Sequence, residues 1–66
     1  MQVVVNGTGF DLSEETTVSE LLRMRGLDPR YVVVERNGEP LSRDRYGAVL
    51  LEDGDRLELV RAVAGG

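Results

Sequence analysis

The sequence predicts a small two-layer α+β domain in which a single helix covers one face of a sheet. Two observations predict it: β-branched runs recur near the start, middle and end of the chain, and only one segment between them carries a helical period. Residues 2–6, QVVVN, form the first strand, and the GTG at 7–9 turns the chain into FDL at 10–12, so the opening dozen residues read as a hairpin. The period then changes. Thr17 followed by Glu20 makes a capping box, and Val18, Leu21, Leu22 and the neighbouring Met24 place apolar groups on one face of a helix ending near Arg25. Gly26 suits the position after the helix, Leu27 packs back on the last turn, and Pro29 prevents continuation. A helix this short is marginal alone and needs a sheet beneath it.

YVVVER at 31–36 supplies the next strand, and Asn37-Gly38 is a hairpin signal. The stretch SRDRYG at 42–47 is irregular and polar, with RDRY expected as an exposed loop. In AVLLEDGDRLELV, Asp53, Gly54 and Asp55 make a turn between a short apolar segment and a last strand from about Arg56 to Ala62. Strand alternation assigns the faces. Val3, Val5, Val32, Val34, Leu57 and Leu59 face the helix, whereas Val4, Val33, Glu35, Glu58, Val60 and Ala62 face away. Val4, Val33 and Val60 are thus a candidate docking face, and the competing reading is of strand-forming residues on a half-exposed sheet.

Composition narrows the chemistry. With 66 residues the chain is expected to be one domain, 1–66, with one modest core and no deep active site. The absence of Cys and His removes disulfides, thiolate nucleophiles, Cys/His zinc sites and His-based acid–base pairs, and no metal site is expected. The formal charge is −4, the basic residues are scattered, and all eight of them are Arg, so nucleic acid is a poor candidate partner. No apolar run suits a membrane span or a signal segment, and a cytoplasmic protein is the default expectation. GTG lacks the helix that a phosphate loop needs, and EDGD lacks the spacing and closing Glu of a calcium loop, so both read as turns, the second solvated.

What composition leaves unexplained is the ending, RAVAGG. Glycine loses most freedom on ordering, so two of them contribute little to a fold. VNG, TVSELLRMRGL, VVVERNGEPLSRDRY and LLEDGDRLELVRAVAGG resemble, over essentially the whole chain, the ThiS family of sulfur carriers from thiamin biosynthesis. The resemblance implies a ubiquitin-like β-grasp fold, a mixed sheet packed on one helix with a flexible C-terminal diglycine tail at 62–66. It also implies a carrier and not an enzyme, with no catalytic residues of its own. An E1-like adenylyltransferase would use ATP to activate the Gly66 carboxylate, and a cysteine desulfurase or other persulfide donor would supply sulfur. Thiazole synthase would then accept that sulfur from a C-terminal thiocarboxylate. No cofactor would be bound.

Ala62, Val63, Ala64, Gly65 and Gly66 would enter the partners' active sites, spanning about 17 Å at roughly 3.3–3.6 Å per residue. Glycines at 65 and 66 suit a narrow channel because they carry no Cβ. Three alternatives share parts of this reading: a molybdopterin-synthase small subunit or other thiocarboxylate carrier, a ubiquitin-like modifier of target lysines, and a β-grasp interaction module whose diglycine is incidental.

Overall fold

The computed structural model describes residues 1–62. Among these residues, strands β1 (Gln2–Val5), β2 (Thr8–Asp11), β3 (Val32–Arg36), β4 (Glu39–Leu41) and β5 (Arg56–Arg61) form one sheet, and a single α-helix, α1 (Val18–Met24), lies across it. The sheet order is β2-β1-β5-β3-β4, so the last strand is the central one. It runs parallel to β1 and antiparallel to β3, which makes the sheet mixed.

Both hairpins turn on Asn-Gly. Asn6 and Gly7 have φ of 49° and 83°, and Asn37 and Gly38 have 53° and 84°, the doubly left-handed geometry that matches the twist of a two-residue hairpin. The first turn therefore lies one residue earlier than GTG. Thr8 and Gly9 belong to β2, with Thr8 opposite Val5 and Gly9 opposite Val4. At the far edge Pro40 sits inside β4, where the missing N–H blocks further pairing.

The helix forms where its caps permit. Thr17 Oγ1 accepts from the Glu20 N–H at 3.1 Å, and Glu20 Oε1 accepts from the Thr17 N–H at 3.1 Å, closing the capping box. The remaining first-turn donors reach across to a loop: the Val18 N–H donates to the Val49 carbonyl and the Ser19 N–H to that of Tyr46. At the other end the Leu27 N–H donates to the Leu22 carbonyl and the Gly26 N–H to that of Arg23, with Gly26 at φ 69°. That is a Schellman ending. Met24 departs from expectation: it is 60% exposed, because the helix touches the sheet through Val18, Leu21 and Leu22 only.

Strand alternation places the core as anticipated, with Val3, Val5, Val32, Val34, Leu57 and Leu59 all buried beneath the helix. Each such side chain contributes about 1.5–3 kcal/mol when fully buried. Two 3-10 turns lie between the regular elements, and Tyr46, Val49 and Leu51, which follow the second, complete the core. Pro29–Tyr31 form a 3-10 turn, so Tyr31 precedes β3 rather than belonging to it. Arg43–Arg45 form a second, and the residue after it is not an exposed loop position: Tyr46 is 3% exposed, and its hydroxyl donates to the Val32 carbonyl at 2.8 Å. An aromatic residue that follows Arg45 and precedes Gly47 thus links β3 to the start of the helix, its hydroxyl on Val32 and its carbonyl accepting from the Ser19 N–H.

The DGD turn is not simply solvated either. Asp55 is only 5% exposed, and its carboxylate accepts from Asn37 Nδ2, from Arg36 Nε at 2.9 Å and from the Glu52 N–H at 2.8 Å. Burial works to raise its pKa, but the bonds from Asn37, Glu52 and Arg36 outweigh that, and the carboxyl sits below the usual aspartate value. Asp53 meanwhile accepts from the Gln2 N–H at 2.6 Å, tying the turn to the start of β1. These carboxylates hold the sheet together through protein donors.

Two outcomes are expected. Tyr46→Phe leaves the buried Val32 carbonyl without its donor and should cost about 1–2 kcal/mol, a fall of roughly 5 °C or more in the thermal midpoint; an exposed loop tyrosine would show no change. Because the folded-state pKa of Asp55 is depressed, its contribution is full above the ordinary aspartate value of 3.8 and is lost as pH falls from there through the folded-state value. Acid titration of unfolding free energy should therefore be flatter in this range for Asp55→Asn, which should also be about 1–3 kcal/mol less stable at neutral pH.

Candidate functional site: the open sheet face and the end of β5

The helix-free face is built by the outward residues of β1, β5 and β3. Val33 and Val60 are direct cross-strand partners and are 44% and 58% exposed. Next along the strands, Glu35 lies opposite Glu58, both exposed. Like charges directly opposite each other destabilise a sheet. Among the described residues neither forms an ion pair within 4.0 Å. Val4 is half-buried and pairs with Arg56, four residues before Val60 on β5, or roughly 13 Å away at 3.3 Å per residue. Of the three valines expected on a docking face, then, the structure brings Val33 and Val60 together and sets Val4 apart, with the glutamate pair between.

β5 delivers the end of the chain at the Val60 side of this face. It is paired in the sheet up to Arg61, and the next residue, Ala62, still donates its N–H to the Tyr31 carbonyl at 2.6 Å. Beside this point an open groove of about 420 Å3 is lined by Gly26, Leu27, Asp28, Tyr31, Val32, Arg61 and Ala62. The Arg30 guanidinium lies 5.3 Å from the centre of the Tyr31 ring and pairs with Asp28 at 2.8 Å. The hydrogen bonds from Arg30 hold the Asp28 carboxyl below its ordinary range and raise the pKa of Arg30 in turn. Val63, Ala64, Gly65 and Gly66 lie outside the described residues. Among the described residues no three His, Cys, Asp or Glu side chains gather as metal ligands, and no helix is long and apolar enough to cross a membrane.

One contributor at this end of the sheet escaped the sequence reading. Asn6 occupies the first hairpin turn, and its side-chain amide bonds both main-chain groups of Leu59: the Leu59 N–H donates to Oδ1 at 2.8 Å, and Nδ2 donates to the Leu59 carbonyl at 3.2 Å. The Asn6-Gly7 dipeptide, as strong a hairpin signal as Asn37-Gly38, was the mark that could have placed it.

A mixed five-stranded sheet whose central last strand is flanked by β1 and β3, with one helix across it, is the ubiquitin-like β-grasp class. Residues 3–66 match the model of the ThiS family. The chain belongs to that family. It is 42% identical over 66 residues to a thiazole synthase of Paramagnetospirillum magneticum, covering 100% of this chain but 20% of that protein. The chain thus spans about a fifth of that relative's length. It is 38% identical over 63 residues to the sulfur carrier protein ThiS of Bacillus subtilis, covering 94% of this chain and 96% of that one. The crystal structure of the thiamine biosynthesis protein ThiS from Geobacter metallireducens superposes with a TM-score of 0.84 at 36% identity, each chain covered in full.

The exposed pair gives a direct test of face against fold. Val60→Glu should cost no more than about 0.5–1 kcal/mol in thermal unfolding, since an outward strand residue has little core to lose. Binding to any protein that docks on this face, read by calorimetry, should weaken at least tenfold; parallel losses of binding and stability would instead make Val60 a structural residue.

Proposed function

We propose that this chain is a sulfur carrier of thiamin biosynthesis, a protein co-substrate and not an enzyme. The observation that carries the reading is the family match running through to Gly66, together with relatives named as a sulfur carrier and as thiazole synthases. The reacting group is the α-carboxylate of Gly66, present when the mature chain ends there. A carboxylate is a poor electrophile. An E1-like adenylyltransferase would let one carboxylate oxygen attack the α-phosphorus of ATP, releasing pyrophosphate and leaving a mixed anhydride with AMP. The outer sulfur of a persulfide, from a cysteine desulfurase or another persulfide donor, would then displace AMP to give an acyl disulfide. A thiol reductant would cleave its S–S bond, forming a disulfide with the donor cysteine and leaving the thiocarboxylate. Thiazole synthase would take the sulfur from it, and the cycle would run in the cytoplasm.

The division of labour follows from the architecture. The sheet face around Val33 and Val60 would dock on each partner, while Ala62, Val63, Ala64, Gly65 and Gly66 would reach the chemistry. Glycine at 65 and 66 suits a channel too narrow for a Cβ. With no Cys in the chain, sulfur would be carried on carbon.

Deleting Gly65 and Gly66 should abolish ATP–pyrophosphate exchange with the adenylating partner and leave the thermal midpoint within about 2 °C, because among the described residues the buried core lies between Val3 and Leu59. Intact mass of the polypeptide from its own cells reads both where the chain ends and whether an oxygen at Gly66 has been exchanged for sulfur. Normal exchange by the truncated chain would remove the carrier reading.

A further inference from the structure

β5 alternates the direction of its main-chain groups. The Val4 N–H donates to the Asp55 carbonyl and the Asn6 N–H to the Leu57 carbonyl, both at 2.9 Å, so the odd-numbered residues of this segment face β1. The even-numbered ones face β3, as the Ala62 to Tyr31 bond shows. β1 ends at Val5 and the chain turns away through Asn6-Gly7, yet β5 continues to Arg61. Its next rung on the β1 side is Leu59. A continued β1 would supply that rung with one donor and one acceptor; the Asn6 side chain supplies both, at 3.2 Å and 2.8 Å. Two residues further on, the N–H and carbonyl of Arg61 face the same side with no partner there among the described residues.

We propose that Asn6 is the positioning residue for the C-terminal tail: its amide extends the β1–β5 pairing past the end of β1 and fixes the direction in which β5 leaves the sheet. The proposal rests on the reading of Gly66 as the reacting group. Without the clamp, the stretch from Leu59 to Ala62 is held from the β3 side alone, and the root of the tail swings about that edge. A swing at Ala62 shifts the point from which the following residues enter a partner, and the attack of a carboxylate on a phosphorus tolerates little misplacement: a displacement of about 1 Å can cost a hundredfold in rate. The simpler role for Asn6, tolerance of a left-handed φ of 49°, does not need the two bonds, since glycine adopts that conformation more readily.

Asn6→Gly therefore keeps the turn and deletes the clamp. In the free protein, amide hydrogen exchange followed by NMR should accelerate at Leu59 at least tenfold more than at Val34, whose bonds lie elsewhere in the sheet. In ATP–pyrophosphate exchange with the adenylating partner, kcat should fall about tenfold while KM changes less than threefold, measured well below the melting temperature. Asn6→Asp, which keeps the acceptor for Leu59 N–H but loses the donor, should fall between. Val49→Ala, a core truncation on the helix side, serves as a variant destabilised without touching the clamp and should keep the wild-type kcat. Wild-type kcat in Asn6→Gly, or an equal loss in Val49→Ala, overturns the proposal. If the wild-type chain itself supports no exchange, the carrier reading has failed, and the proposal falls with it unless Leu59 shows the selective loss of protection in Asn6→Gly, which establishes the clamp on its own.

Discussion

Everything in this fold depends on pairing one strand from both sides. β5 is the last strand in sequence and the central one in space, parallel to β1 across two register pairs and antiparallel to β3 across five. Its Leu57 and Leu59 are the inner residues against which the helix packs. Partners 52 positions away, as Val4 and Arg56 are, cannot meet until the intervening chain has collapsed. Such non-local closure is entropically costly and slow relative to local contacts. The fastening devices accordingly gather on β5. Asp55 anchors its start through Arg36, Asn37 and Glu52; Asn37 Oδ1 accepts from the Arg56 N–H at 2.9 Å; and Asn6 holds Leu59 from the other side.

The helix serves that strand more than it serves itself. With seven residues it lies far below the length at which an isolated helix holds in water. Its first two N–H groups are satisfied by carbonyls of Val49 and Tyr46, so the loop before β5 caps the helix while the helix covers β5. Tyr46 closes the loop by donating to Val32 on β3. Among the described residues no element covers the other sheet face, and the sheet loses stability there: Glu35 and Glu58 stand opposite each other beside the exposed Val33 and Val60.

Features carried by local chemistry were legible in the sequence. The capping box at Thr17 and Glu20, the Gly26 ending, the Asn37-Gly38 turn and the alternation in three valine- or leucine-rich strands each depend on neighbours within a few residues, and each stands as read. What could not be read was decided over distance. Tyr46 looks like loop because its flanks are polar, and only the 14-residue reach to Val32 makes it core. Met24 fits the helical period but falls just beyond the sheet. Asp55 resembles a solvated turn residue until Asn37 and Arg36 arrive from another hairpin. On the candidate face, alternation gave the outward direction of Val4, Val33 and Val60 correctly but not their separation, which is set by the offset between β1 and β3 along β5.

Both hairpin turns place an asparagine before a glycine, the arrangement in which a protein ages fastest. The glycine nitrogen attacks the side-chain carbonyl of the asparagine, ammonia leaves, and the cyclic imide reopens as aspartate or isoaspartate. In this fold both side chains are pinned: Asn6 on Leu59, Asn37 between Asp55 and Arg56. Neither amide is at liberty to rotate onto its own following nitrogen while β5 stays seated. The native sheet thereby protects the two residues whose chemical loss would undo it, and the damage falls to the unfolded chain. Once formed, an isoaspartate inserts an extra carbon into a two-residue turn and removes an amide donor that β5 relies on, so each molecule that lapses in this way returns to the fold with its central strand held from one side fewer.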